Sequence, residues 1–119
     1  MSTQQIATRL AELCSKGDFE AAQKELFADD AVSIEPRETA GFPKETKGLQ
    51  AIIQKGHHWA SSLDQVHGCS ASKPLVAGNA IAMTLSIDVT MKGRGRQKLE
   101  EVCVYEVKDG KIASEQFFM

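Results

Sequence analysis

Residues 81–91 alternate without a break. Ile81, Met83, Leu85, Ile87, Val89 and Met91 are apolar, and Ala82, Thr84, Ser86, Asp88 and Thr90 between them are small or polar. A period of two over that length predicts a strand with one face on a core and one in water. Upstream the period is helical. Ile6, Leu10, Leu13 and Cys14 share one face, Ser2 and Gln5 can form a capping box before them, and Gly17 is a stop. Asp18 is a candidate N-cap for a second helix carrying Phe19, Ala22, Leu26 and Phe27. Asp29-Asp30 breaks that pattern, and a short strand follows and ends at Pro36. Residues 36–47, with Pro36, Gly41 and Pro43, read as a loop long enough to form a lid or rim. A third helix begins near Gly48 with the stripe Leu49, Ile52, Ile53, Trp59 and Leu63. Residues 65–77, 98–107 and 111–119 complete the strands, with KGRGRQK and the Asp109-Gly110 pair as turns. The predicted class is α+β, with helices grouped early and a meander late.

Composition narrows the function classes. The chain has 119 residues, which suits one domain over 1–119, and is 42% hydrophobic and 25% charged. A net charge of -2 gives no electrostatic case for nucleic acid or an anionic membrane as partner. Cys14, Cys69 and Cys103 are odd in number and widely spaced, which argues against a disulfide framework or a zinc site and suits a reducing cytoplasm. No segment approaches a membrane span, and a cytoplasmic location is the expectation. KGRGRQK lacks interleaved aromatics and the strand–loop–helix setting of a phosphate loop, so it reads as a solvated hairpin tip.

Three stretches, GDFEAAQKELFADDAV, GLQAI after an irregular loop, and VKDGKI, carry a resemblance over roughly residues 5–119. Together with the element order they resemble the nuclear transport factor 2-like superfamily, in its SnoaL-like branch. The resemblance implies a cone: a strongly curved antiparallel sheet wrapped around about three helices, with a pocket at the open end. It also implies homodimers paired through the convex sheet face, and a membership that ranges from isomerases, dehydratases, cyclases and hydrolases to non-catalytic transport and assembly domains. A fold with that many uses does not assign one. Of the steroid-isomerase pattern, only the base position is matched, by Glu35 before Pro36; Leu10 and Cys103 stand where its two oxyanion donors would be. Of the cyclase pattern, the histidine and aspartate positions hold Cys103 and Phe117.

The remaining chemistry turns on one hairpin. A two-residue turn at Asp109-Gly110 pairs Val107 with Ile112 and puts Glu115 on the face of Val102 and Val104. A three-residue loop over 108–110 pairs Cys103 with Glu115 and Glu101 with Phe117 instead, because a shift of one residue exchanges the faces. The resemblance favours the second, with Glu101, Cys103, Tyr105, Glu115 and Phe117 inside the cone. Glu35, Glu101 and Glu115 are then candidate acids or bases, since an apolar setting and neighbouring like charge raise a carboxyl pKa toward neutrality. His58, Trp59, Cys103, Tyr105 and Phe117 are candidate pocket residues; His57 and His67 are the other histidines weighed. The expectation is a small apolar ligand handled by acid–base chemistry without metal or cofactor. The alternative is a non-catalytic binding or assembly domain that uses the same pocket or the convex face of Thr84, Ser86, Asp88 and Thr90.

Overall fold

A computed structural model describes residues 1–39 and 41–119. Helix α1 (Thr3–Ser15) opens with the expected capping box: the Ser2 hydroxyl accepts from the Gln5 amide at 3.1 Å, and the Gln5 side chain accepts from the Ser2 amide at 2.7 Å. It closes at Gly17, whose φ of 77° lets the amides of Gly17 and Asp18 turn back to the carbonyls of Cys14 and Leu13. Asp18 occupies the N-cap position of α2 (Phe19–Leu26), but its side chain makes no capping bond.

β1 (Phe27–Ile34) follows directly. The 36–47 loop then contains a strand of its own, β2 (Glu45–Lys47), before α3 (Leu49–Ser61). The segment expected as one strand over 65–77 is two, β3 (Leu63–Ala71) and β4 (Leu75–Ala77), parted at Pro74; proline has no amide to offer a ladder. β5 (Ala80–Met91), β6 (Gly95–Lys108) and β7 (Lys111–Phe118) form the meander.

The sheet runs β2-β1-β7-β6-β5-β3, with β4 also on β5. It is curved and unclosed, and the three helices lie with it in an α+β cone. The expectation of a wholly antiparallel sheet fails at one place, since β1 pairs parallel with β7. The connection from β1 to β7 runs through β2, α3 and β3 to β6, so nothing in the local pattern signals this pairing. Ile6, Leu10 and Leu13 of α1 and the inward row Ile81, Met83 and Leu85 of β5 belong to one buried core. Removing that apolar area from water is what drives the chain together.

Candidate active site

The β6–β7 hairpin decides where Glu115 points. Asp109 (φ 53°) and Gly110 (φ 76°) are both left-handed, which makes a two-residue turn, and Val107 pairs with Ile112 as that turn requires. The pairing then slips: Glu106 is opposite Ser114, so Ala113 is a bulge residue on β7. Beyond it Tyr105 is opposite Glu115, and Cys103 is opposite Phe117. The three-residue loop is therefore corrected, and the expected Cys103–Glu115 and Glu101–Phe117 pairs are displaced by two positions. The face survives, because the bulge makes the same one-residue shift that the longer loop would have made.

Glu115 is 5% exposed. Its neighbour on the other side, through the parallel pairing, is Ser33 of β1, and beyond Ser33 stands Thr46 of β2. Tyr105, Glu115, Ser33 and Thr46 thus form one row across four strands, all facing the interior. Ser33 is wholly buried, and its hydroxyl accepts from Lys55 Nζ of α3 at 2.6 Å. The same ammonium donates to Glu35 Oε1 at 3.0 Å and lies 5.8 Å from the centre of the Phe117 ring. The Lys55 side chain is 13% exposed and that of Glu35 25%, so this ion pair is mostly withdrawn from water.

Burial pushes the Glu115 carboxyl up to about 7, with Glu35 adding to the rise, while the adjacent Ser33 hydroxyl and the charge of Lys55 pull the other way. Glu101 is also pushed up to about 7, first by burial and then by the negative charges of Glu35 and Glu115. Among the described residues, the hydrogen bond its side chain accepts is from the Cys103 thiol, at 3.9 Å. Burial raises the Cys103 and Cys14 thiols, Cys14 to about 12, so neither is an active nucleophile at neutral pH. Tyr105 is 3% exposed, its hydroxyl is pushed well up by burial, and its ring meets Phe27 edge-on at 6.5 Å, which makes it core as much as lining.

The structure therefore brings Glu35, Glu101, Glu115, Cys103, Tyr105 and Phe117 into one region. It seats the histidines elsewhere. His58 is exposed and packs on Phe42 of the loop before β2, 4.9 Å between ring centres. His57 pairs with Glu20 of α2, and His67 meets Thr90 at 2.7 Å. Trp59 packs partly buried against the core. In KGRGRQK, Arg96 grips Asp88 with both ends of its guanidinium at 2.9 and 3.0 Å. Among the described residues no three donor side chains are disposed to hold a metal ion, the three carboxylates included. Two shallow concavities, of about 400 and 140 Å³, lie on other parts of the surface: one between α1 and the β3–β4 connection, the other beside β4. Neither is lined by the carboxylates, which lie instead against Lys55 and Phe117.

Ser33 and Lys55 escaped the sequence reading. Lysine on a helix reads as solvated, yet Lys55 follows Ile52 by three and precedes Trp59 by four, which places it on the buried stripe. Ser33 had no such signal.

A SnoaL-like domain model matches residues 1–119. The chain belongs to the SnoaL-like domain family. A structure from Mesorhizobium loti, whose description proposes a SnoaL-like polyketide cyclase and adds carbohydrate phosphatase in brackets, is similar at 36% identity over 100% of both chains, with a TM-score of 0.91. A Xanthomonas campestris protein of unknown function with a cystatin-like fold aligns at 20% identity over 99% of this chain and 90% of that one, TM-score 0.81. A Catenulispora acidiphila protein with a ketosteroid isomerase-like fold, in complex with trimethylamine, aligns at 16% over 96% and 84%, TM-score 0.73. These last two share the fold with this SnoaL-like domain. No curated protein matches it. No helix of the domain, among the described residues, is long and apolar enough to cross a membrane.

Proposed function

We propose that this SnoaL-like domain binds a small, largely apolar molecule on the inner face of its sheet and moves a proton on it, without a cofactor. The observation that carries this reading is the convergence of Glu35, Glu101 and Glu115 near one lysine, with two of the carboxyls held near neutrality by burial. A carboxyl in that range can give or take a proton at working pH, and one at its ordinary value can only accept. That a protein of the same fold holds trimethylamine supports a small guest. In this reading Cys103 and Phe117 line the site and Tyr105 backs it.

The test starts from protein taken from its native cells. Native mass spectrometry should find a co-purifying small molecule of low polarity, and the protein should convert it or a close analogue. Glu115→Gln should lower that turnover at least 100-fold, the usual scale of a lost general acid or base, with an unchanged circular dichroism spectrum. Turnover that is indifferent to Glu115→Gln removes this carboxyl from the mechanism. A bound but unconverted molecule reduces the site to a receptor.

A second reading concerns the convex face. Val102 (42% exposed) and Phe118 (49%) are opposite each other there, with Leu75 (75%) two strands away. This face is proposed to pair two copies, or to seat an assembly partner. Sedimentation should show a dimer that Phe118→Lys dissociates; a monomer at every concentration would exclude pairing of copies.

A further inference from the structure

We infer that the guest of the inner face is an amine: its protonated nitrogen is received by the row Thr46, Ser33 and Glu115, beside the Phe117 ring, where the ammonium of Lys55 now stands. This names the ligand class of the site proposed above and rests on the guest binding there. It does not rest on any proton being moved on that guest.

Lys55 shows the seat. Its Nζ donates to Ser33 Oγ at 2.6 Å and to Glu35 Oε1 at 3.0 Å, and lies 5.8 Å from the centre of the Phe117 ring. A hydroxyl, a carboxylate and an aromatic face are all good partners for an ammonium. Yet the lysine leaves its surroundings unsatisfied. On one side of Ser33, Thr46 is 9% exposed, and its Oγ1 is buried with no hydrogen-bond partner among the described residues. On the other side, Glu115 is 5% exposed, and the ion pair that Lys55 makes goes to Glu35 instead. A buried polar atom without a partner is costly, and it marks a place where a further polar group belongs.

The balance of charge points the same way. Glu35, Glu101 and Glu115 converge here, and Lys55 is the one cation that acts on Glu101 and Glu115. The other titratable groups facing the seat are Cys14 on α1 and Cys103 and Tyr105 on β6; burial raises all three, so none is charged at neutral pH. An anionic guest would meet three carboxyls and a cation already engaged. A neutral apolar guest would cover Thr46 Oγ1 and Glu115 and leave both unpaired, which is unfavourable. An ammonium carries three hydrogens, enough for Thr46, Ser33 and Glu115 together. Lys55 can then keep Glu35 toward the more open end, where the two side chains are 13% and 25% exposed.

The experiment titrates three probes of one size, benzylamine, benzyl alcohol and benzoate, into the full chain at neutral pH, read by calorimetry and by amide NMR shifts. Benzylamine should bind and move the amides of Ser33, Thr46 and Glu115, and methylamine, the head alone, should compete for them. Benzylamine should bind about tenfold or more tightly than the alcohol or the benzoate, the scale of one charge-assisted hydrogen bond. Its binding should release protons, followed with an indicator dye in weakly buffered solution, because a cation beside carboxyls that titrate near 7 favours their ionised form. Glu115→Gln should weaken benzylamine about tenfold and the alcohol less. Lys55→Met should tighten benzylamine, since it removes the cation that holds the seat; a purely structural lysine would give no such gain. The inference is overturned if the alcohol or the benzoate binds as tightly as benzylamine, if Lys55→Met weakens benzylamine, or if neither amine binds. Should the variants not fold, the wild-type ranking of the three heads and the proton release still decide it. A native guest that lacks an amine and is converted overturns this inference and leaves the proton-moving reading intact. An amine that binds at this row and is never converted does the reverse.

Discussion

The inner face of the sheet is two surfaces joined at Tyr105. On the β5 side, Ile81, Met83, Leu85, Ile87 and Val89 are all at most 7% exposed and wholly apolar. On the β7–β1 side, Phe27, Ala31 and Ile112 are buried too, but beside them Glu115, Ser33 and Thr46 make a buried polar row. Equal burial has opposite consequences. The apolar half gains stability from every square ångström it hides. The polar half loses hydration and recovers it only in part, through Lys55 and the bonds it anchors. The contrast teaches where this fold keeps its stability and where it keeps its chemistry: β5 holds the cone together, and β7 with β1 carries groups that a purely structural core would not select.

The comparison can be broken most forcefully on the apolar side. Ile81→Ala, at a position with no exposure, should cost roughly 2–5 kcal/mol in chemical denaturation, the range for large-to-small changes in a packed core. A smaller loss would show that the β5 half is not the stabilising one. On the polar side the sign should invert. Both raised carboxyls hold their protons to higher pH in the folded chain than the value of 4.5 usual for glutamate. Their contribution to stability is therefore complete below about pH 4.5 and is lost as the pH rises toward 7. Glu115→Gln should flatten that decline and leave the variant more stable than the wild type at pH 8, by about 1–3 kcal/mol. A wild-type stability that does not fall between pH 4.5 and 7 would show that Glu115 is not held protonated. The smallest effect belongs outside the cone. Arg96→Ala removes a two-pronged but solvent-exposed pair with Asp88 and should leave the denaturation midpoint unchanged within error. A clear loss would mean that this pair pins the β5–β6 tip.

The apolar half was the legible one. The alternation of β5 gives its face and its length, and the capping box and Gly17 bound α1 as expected, because these signals are local. The polar half misleads. In β1 the residues Val32 and Ile34 alternate with Ser33, and polarity alone would turn the serine outward; the structure buries Ser33 completely and leaves Val32 and Ile34 partly exposed. The parallel neighbour that makes this sensible, on β7, is more than eighty residues away in sequence. The hairpin is instructive in a different way. The two-residue turn at Asp109-Gly110 was one of two readings left open, and the resemblance favoured the other; the bulge at Ala113 that reverses the turn's consequence leaves no mark, since alanine fits a bulge and a ladder equally well. Glu115 was found on the right face by a route that the turn itself does not follow.

The place of β7 in the sheet has a consequence for how the domain assembles. It is the strand with β1 on one side and β6 on the other. Until it docks, β1 and β2 have no tie to the meander within the sheet, and the two halves of the cone are separate pieces. Closing them requires contacts between segments far apart along the chain, the kind that set a slow pace. Ser33 cannot reach Glu115, nor Lys55 act on it, before that closure. The polar cluster is thus a late product of folding, absent from every species in which β7 is still loose.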